Sequence, residues 1–506
     1  MSASTEKKMR QAAREAGTDK KTLALEKEAK EKAKSKRRWT IGTVAVVVLI
    51  ALVLLLNSPL VYKSTAYSVG DRKYSTAETS YYYANQYYSF ANNYGSYASM
   101  FGLDTSNGIK GLDKQDCAFT DGTWKDYFLD AAKNTMLQNT ALNDYAKANG
   151  ITLDESEIAD IDASFEGLDE AAKSYGYGSG DKMMAANYGT GVTAALVRGA
   201  YLDNALASKA MQAASESFTY TDAQLEEAYA AFDGSRDSFS FSYVQVEAHD
   251  HDNAEAEATE EDHAEAEKTA EAVRAAYEAG KGEDFAARLS EAAEAQGLSA
   301  TKTTLSGSSL YFASEWLMDA ARKAGDITVE ESGDHMYVVV FLSRDDNHYK
   351  TVSVRHILIK AEADANGEYT DEAKAKAKAR AEELLAEFQA GDKSEESFAA
   401  MAEQYSEDAG SNTKGGLSEG LTKGQMVQEF NDFCFAPHSK GDTAVVYGES
   451  GSYAGYHVIY FVGESDELYA HTLAEDELRD NDLSAWLEEL TGAYTTSEGF
   501  GMKFVG

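Results

Sequence analysis

Two histidines of this 506-residue chain stand where their surroundings could give them a chemical role. In residues 351–360, strand alternation puts Val352, Val354, His356 and Leu358 on one face; in 455–463 it puts His457, Ile459 and Phe461 on one face. Each predicted strand therefore presents one imidazole among apolar neighbours. A lone histidine in such a place is usually a hydrogen-bonded core residue, but two on the terminal strands of one unit are harder to dismiss as packing. Between them, Met426 and Phe430 stand four residues apart on a predicted helix, so they share a face and can form an apolar slot. Cys434, one turn further on, reads as a buried thiol rather than a nucleophile.

The elements that must position these residues form an α+β unit. A strand at 351–360 leads to an Ala/Glu-rich helix at 371–390, a short helix at 395–405, an aromatic helix at 423–435 and a final apolar strand at 455–463. The same series precedes it at 238–246, 264–279, 283–292, 314–324 and 336–343, an internal repeat. In that first copy Tyr243 stands where His356 does and Tyr337 where His457 does. Trp316 and Phe312 fall roughly where Phe430 and Met426 do.

Six stretches in the second copy carry a resemblance. "VRHILI" (354–359), "SFAAMA" (397–402), "YSEDAGS" (405–411), "GGL" (415–417), "GQMVQEF" (424–430) and "GYHVI" (455–459) occur in that order. Together they resemble a parvulin-type peptidyl-prolyl cis-trans isomerase domain, and the whole architecture resembles the membrane-anchored extracytoplasmic foldases of the PrsA/SurA type. The resemblance implies that His356 and His457 are the family's paired core histidines and that Asp408 lies in the loop supplying a Cys or Asp beside them. It implies that Met426 and Phe430 grip the prolyl ring, with Leu421 where an aromatic residue is common. It also implies rotation about X–Pro bonds without cofactor or metal. One departure touches substrate preference: the usual Gly-Gly-Asp-Leu-Gly is here Gly415, Gly416, Leu417, Ser418 and Glu419. The first copy, lacking both histidines and with its slot overfilled, is expected to be silent, a spacer or peptide-binding surface. Glu362, Asp364 and Glu368 follow the first strand of the second copy with no arginine among them, so no preference for phosphorylated Ser/Thr-Pro is expected.

The rest of the chain sets the context. With 47 Lys+Arg against 85 Asp+Glu the net charge is −38, which argues against nucleic acid as a partner. Cys117 and Cys434 are too few for a disulfide framework or a four-ligand zinc site. Residues 1–38 hold 13 Lys/Arg and 6 Asp/Glu, net +7, leaving −45 for the remainder. An apolar run follows directly, and 39–57 reads as a transmembrane anchor with the basic side in the cytoplasm and the bulk of the chain outside. The expected organisation is then a mostly helical SurA/PrsA-like chaperone module at 58–219, a degenerate parvulin-like domain at 220–349, the isomerase domain at 350–465 and a helical tail at 466–506. The aromatic residues of 75–101 recur at helical spacing, as a core or as a client-holding surface. His249, His251 and His263 lie in an acidic stretch that reads as a solvated insertion, with weak metal binding as the alternative. The expected partners are unfolded or proline-containing secreted polypeptides. The rival function is a non-catalytic holdase whose parvulin-like domains only bind.

Overall fold

The computed structural model describes residues 3–17, 20–56, 58–248, 258–365, 367–451 and 453–506. Helix α1 (Lys20–Leu56) runs from the basic segment through the apolar run. Within Lys30–Leu55 an 18-residue stretch reaches a mean hydropathy of 2.3 with none of it buried, which makes the helix long and apolar enough to cross a membrane. A signal sequence near the N-terminus meets the same criteria.

The chain divides into two compact units, residues 1–218 with 482–506, and residues 219–481. The first unit opens with a hairpin, β1 (Thr65–Val69) and β2 (Arg72–Ser75), in a stretch the sequence reading took as helical. Helix α2 (Thr76–Tyr94) starts where the Ser75 side chain accepts from the Glu78 amide and the Glu78 carboxylate accepts from the Ser75 amide. Helix α3 (Trp124–Ala148) packs against it and, in turn, against α4 (Ala194–Ser217). Most of the aromatic stripe is core: Tyr81, Tyr82, Tyr83 and Tyr87 are buried with Trp124 and Phe128. Tyr94, Tyr97 and Met100 are exposed.

The second unit contains the two α+β copies. In the first, β3 (Ser238–Glu247), α5 (Glu260–Ala279), α6 (Phe285–Glu294), β4 (Ala300–Ser306), β5 (Ile327–Ser332) and β6 (His335–Asp345) form a sheet of order β4-β3-β6-β5. In the second, β7 (Lys350–Lys360), α7 (Asp371–Ala390), α8 (Glu395–Tyr405), β8 (Leu417–Leu421), α9 (Gln428–Cys434), β9 (Thr443–Ser450) and β10 (Tyr453–Leu468) give the same order, β8-β7-β10-β9. Because strand side chains alternate, each sheet has two apolar faces. In the second copy Ile357, Val458 and Tyr460 pack under α7 and α8 against Leu384, Phe388 and Phe398. The opposite face carries Val352, Val354, Ile459 and Phe461 against α9.

Helix α10 (Tyr469–Gly492) then leads out of the second unit. Its later residues Trp486, Leu487 and Leu490 pack on Leu142, Ala146 and Ala207 of the first unit. The tail is not only helical: β11 (Thr496–Glu498) pairs antiparallel with β1 and completes a three-stranded sheet.

Candidate active site

The register of β7 and β10 sets the geometry. His356 lies opposite Ile459 and His457 opposite Leu358, so the two imidazoles are diagonal neighbours on one face. Their Nδ1 atoms are 3.2 Å apart, and both residues are buried. The loop after α8 brings Asp408 Oδ2 to 3.2 Å and Ser411 Oγ to 3.1 Å from His356 Nε2. The Ser411 hydroxyl donates to Asp408, and the Gly410 amide donates to the other carboxylate oxygen. At the far end Tyr453 Oη is 3.0 Å from His457 Nε2.

These partners fix a direction. Hydrogen bonding from His356, then from Ser411 and Gly410, holds the Asp408 carboxyl well below the usual carboxylate range, so it is ionised and can only accept. Burial, and next the neighbouring His356, push His457 down to about 3, so its ring is neutral near pH 7. In one assignment of the ring tautomers every ring nitrogen has a partner. Tyr453 donates to His457 Nε2, His457 Nδ1–H donates to His356 Nδ1, and His356 Nε2–H donates to Asp408.

The loop is placed by two glycines. The His356 amide donates to the Gly416 carbonyl at 2.9 Å. Gly415 and Gly416 have φ of +65° and +69°, and a Cβ on Gly416 would come within 2.3 Å of the His356 carbonyl oxygen. Close backbone approach beside the histidine strand therefore requires glycine there.

The apolar slot lies on the same face. The Phe430 ring stands nearly perpendicular to both imidazoles, centroids 5.4 Å from His356 and 5.1 Å from His457. Phe430 is fully buried, Leu421 is buried opposite Val352, and Met426 and Val427 are among the half-buried members of the cluster. The predicted helix at 423–435 begins only at Gln428, so Met426 lies in the turn before it and does not share a helix face with Phe430. The reason is local. Gly424 sits at φ +81°, and its amide donates to the Asn431 side chain at 2.7 Å, holding a turn where a helix would otherwise extend. Cys434 is buried and free, its thiol pushed up to about 12 by burial.

The first copy repeats the register with different residues. Tyr243 pairs with Val339 and Tyr337 with Gln245, the positions of His356–Ile459 and His457–Leu358. Phe312 stacks on Tyr337 at 4.0 Å and meets Tyr243 at 5.1 Å. By contact, then, Phe312 rather than Trp316 takes the place of Phe430; the Trp316 ring lies instead under the Arg322 guanidinium. His249 and His251 lie outside the described residues, and His263 pairs with Glu331 and Asp334. Among the described residues no group of three or more His, Cys, Asp or Glu could hold a metal ion.

Sequence reasoning gave no role to Ser411 or Tyr453. Tyr453 shares strand parity with His457, so alternation could have found it. Ser411 closes a quoted motif, but nothing in its type marks it out from neighbouring loop serines.

The fold and this constellation define a class: residues 337–464 match the family model of the PPIC-type PPIase domain, and this part of the chain is such a domain. The particular relatives are foldases. Foldase protein PrsA 3 of Bacillus anthracis is 32% identical over 149 residues, covering 29% of this chain and 44% of that protein. Foldase protein PrsA 3 of Bacillus cereus is 35% identical over 99 residues, covering 20% of this chain and 33% of that protein. The similarity thus spans less than half of either relative. A crystal structure of PrsA from Bacillus subtilis, 13% identical, covers 74% of this chain and 88% of its own, with a TM-score of 0.25, too low to carry an argument.

Proposed function

We propose that the chain is a peptidyl-prolyl cis-trans isomerase and foldase, held at the cytoplasmic membrane by α1, that assists secreted or cell-envelope proteins on its outer side. The observation that carries this is the pair of buried imidazoles joined end to end between Asp408 and Tyr453, with Phe430 packed across both rings. An X–Pro bond rotates over a barrier of about 18–20 kcal/mol because amide resonance is lost at the twisted state. No covalent step is needed. A dry apolar pocket that fits the twisted amide better than either planar form lowers the barrier by differential binding.

In this reading Met426 and Phe430 grip the prolyl ring, and Leu421 backs the slot. His356, His457 and Asp408 act as a rigid polar frame that fixes Phe430 and the strand faces. The His457 ring stays neutral from pH 6 to 8 and does not change its proton count there, so the rate should be flat over that range. A bell-shaped profile centred near neutrality would exclude the frame in favour of acid–base chemistry.

The test is isomerisation of a four-residue Ala-Pro peptide by the full-length chain in detergent, followed by exchange NMR. His457→Ala and Met426→Ala should each lower the rate by about tenfold or more, the scale of about 1.4 kcal/mol in the barrier. An unmutated chain without activity would shift the reading to the holdase. That second reading has its own support, because the first unit exposes Tyr97 (66%) and Met100 (76%) in the turn that ends at Phe101, whose ring meets Tyr94 and Phe119. Suppression of aggregation of a proline-free client tests it separately.

A further inference from the structure

The turn that carries Met426 has a second neighbour. Lys423 Nζ pairs with Asp345 of the first copy at 2.7 Å, and its amide donates to the Tyr349 hydroxyl oxygen at 3.0 Å. Lys302 of β4 donates to the Gln428 side chain at 3.1 Å, and a Cβ on Gly424 would lie 3.5 Å from Thr304. Between these contacts lies a cavity of about 500 Å³, lined by Ser240, Lys302 and Thr304 from the first copy and by Lys423, Gly424 and Gln428 from the second. That is the size range of a ligand site.

Gly424 and Gln428 flank Met426 by two residues on either side, a reach of at most about 7 Å. A chain whose proline lies against Met426 therefore meets the cavity within two or three residues. What it meets there is polar. The Thr304 hydroxyl donates to Ser240 at 3.2 Å, and β4 is the edge strand of its sheet. The two lysines differ: Lys423 is neutralised by Asp345, whereas the described partner of Lys302 is a neutral amide. Glu283 and Asp284 also line the cavity, and Asp284 caps α6 through the Ala287 amide.

We infer that this cavity is an extended subsite for client polypeptide, taking the residues that flank the X–Pro bond and preferring a carboxylate side chain at the Lys302 end. The first copy, with no imidazole pair, thereby supplies half of the substrate groove. The inference rests on the isomerase reading for where the proline sits, and a separate readout tests each.

The probes are the Ala-Pro tetrapeptide and the same core lengthened by four residues on either side, with Asp or Lys at the third position from proline. Affinity for the full-length chain is measured by fluorescence anisotropy, and exchange NMR measures isomerisation of the tetrapeptide. On at least one side the Asp-extended peptide should bind about fivefold tighter than its Lys counterpart, the scale of one solvent-exposed ion pair. Lys302→Gln should abolish that preference and Lys302→Glu should reverse it. Equal affinities for Asp and Lys peptides on both sides, or a preference that survives Lys302→Glu, overturn the inference. Loss of tetrapeptide exchange with the preference intact would instead remove the isomerase reading and leave a peptide-binding groove.

Discussion

His457 and Phe430 touch, yet they should respond to substitution in different ways. The neutral His457 ring must charge when the chain unfolds in acid, because its folded pKa of about 3 lies below the usual histidine value of about 6.5. The unfolded chain therefore binds the extra proton, and this contribution to stability is complete above about pH 6.5 and is lost as pH falls toward 3. Urea unfolding of the full chain should show a slope of at most about 1.4 kcal/mol per pH unit from this group, absent in His457→Gln. Asp408, held below its ordinary range chiefly by His356, adds a loss of the same sign below about pH 4. Phe430→Ala empties a fully buried site and should cost about 3–5 kcal/mol of stability. The half-buried Met426, changed to Ala, should cost about 1 kcal/mol while weakening peptide affinity, which separates packing from binding. At this scale the histidines were legible because an imidazole between aliphatic residues breaks an apolar alternation. Ser411 and Tyr453 were not, because a chain with 31 tyrosines offers no compositional mark for the one whose hydroxyl ends the hydrogen-bonded chain.

Among the elements, the loop from 406 to 416 decides whether the frame assembles. Gly416→Ala should cost about 1–2 kcal/mol from the left-handed backbone alone, and more from contact with the His356 carbonyl. Thermal unfolding, together with the histidine ring signals in NMR spectra, checks whether the Asp408–His356 contact is lost with it. The first copy offers the converse test. Restoring histidines with Tyr243→His and Tyr337→His in a His457→Ala chain should restore no turnover, since Phe312 still fills the place beside both rings. Turnover of an Ala-Pro peptide above that of the His457→Ala chain alone would show that the first copy can be made active. Alternation and the repeat made the long strands and helices readable: the helices expected at 371–390 and 395–405 are α7 and α8. The helix expected from 423 starts late because Gly424 and the Asn431 side chain hold a turn, an effect of one backbone conformation that apolar spacing does not encode. Strands β1, β2 and β11 escaped notice because each is five residues or fewer, and β1 is completed by a partner from the far end of the chain.

At the scale of the molecule, charge and hydropathy divide the chain more sharply than its folds do. A +7 segment precedes the apolar helix, and everything after it is acidic. In the proposed topology, protease added outside intact protoplasts should digest both units and spare only the N-terminal segment with α1. Full protection would reverse the assigned orientation. The sequence could show a long helical tail but not where it ends, because the pairing of β11 with β1 depends on residues that no local pattern connects.

That pairing also sets a schedule. The Thr76 hydroxyl donates to the Gly501 carbonyl, 425 residues later in the chain. Synthesis proceeds from the N-terminus, so residues 219–481 emerge and can close their own cores while β1 still has a vacant edge. The helical unit is therefore begun first and finished last. A chain interrupted before residue 496 would leave an unpaired strand in the first unit, the kind of edge along which copies pair with one another. Pairing of residues 496–498 with β1 is thus the step that separates a usable molecule from an adhesive one.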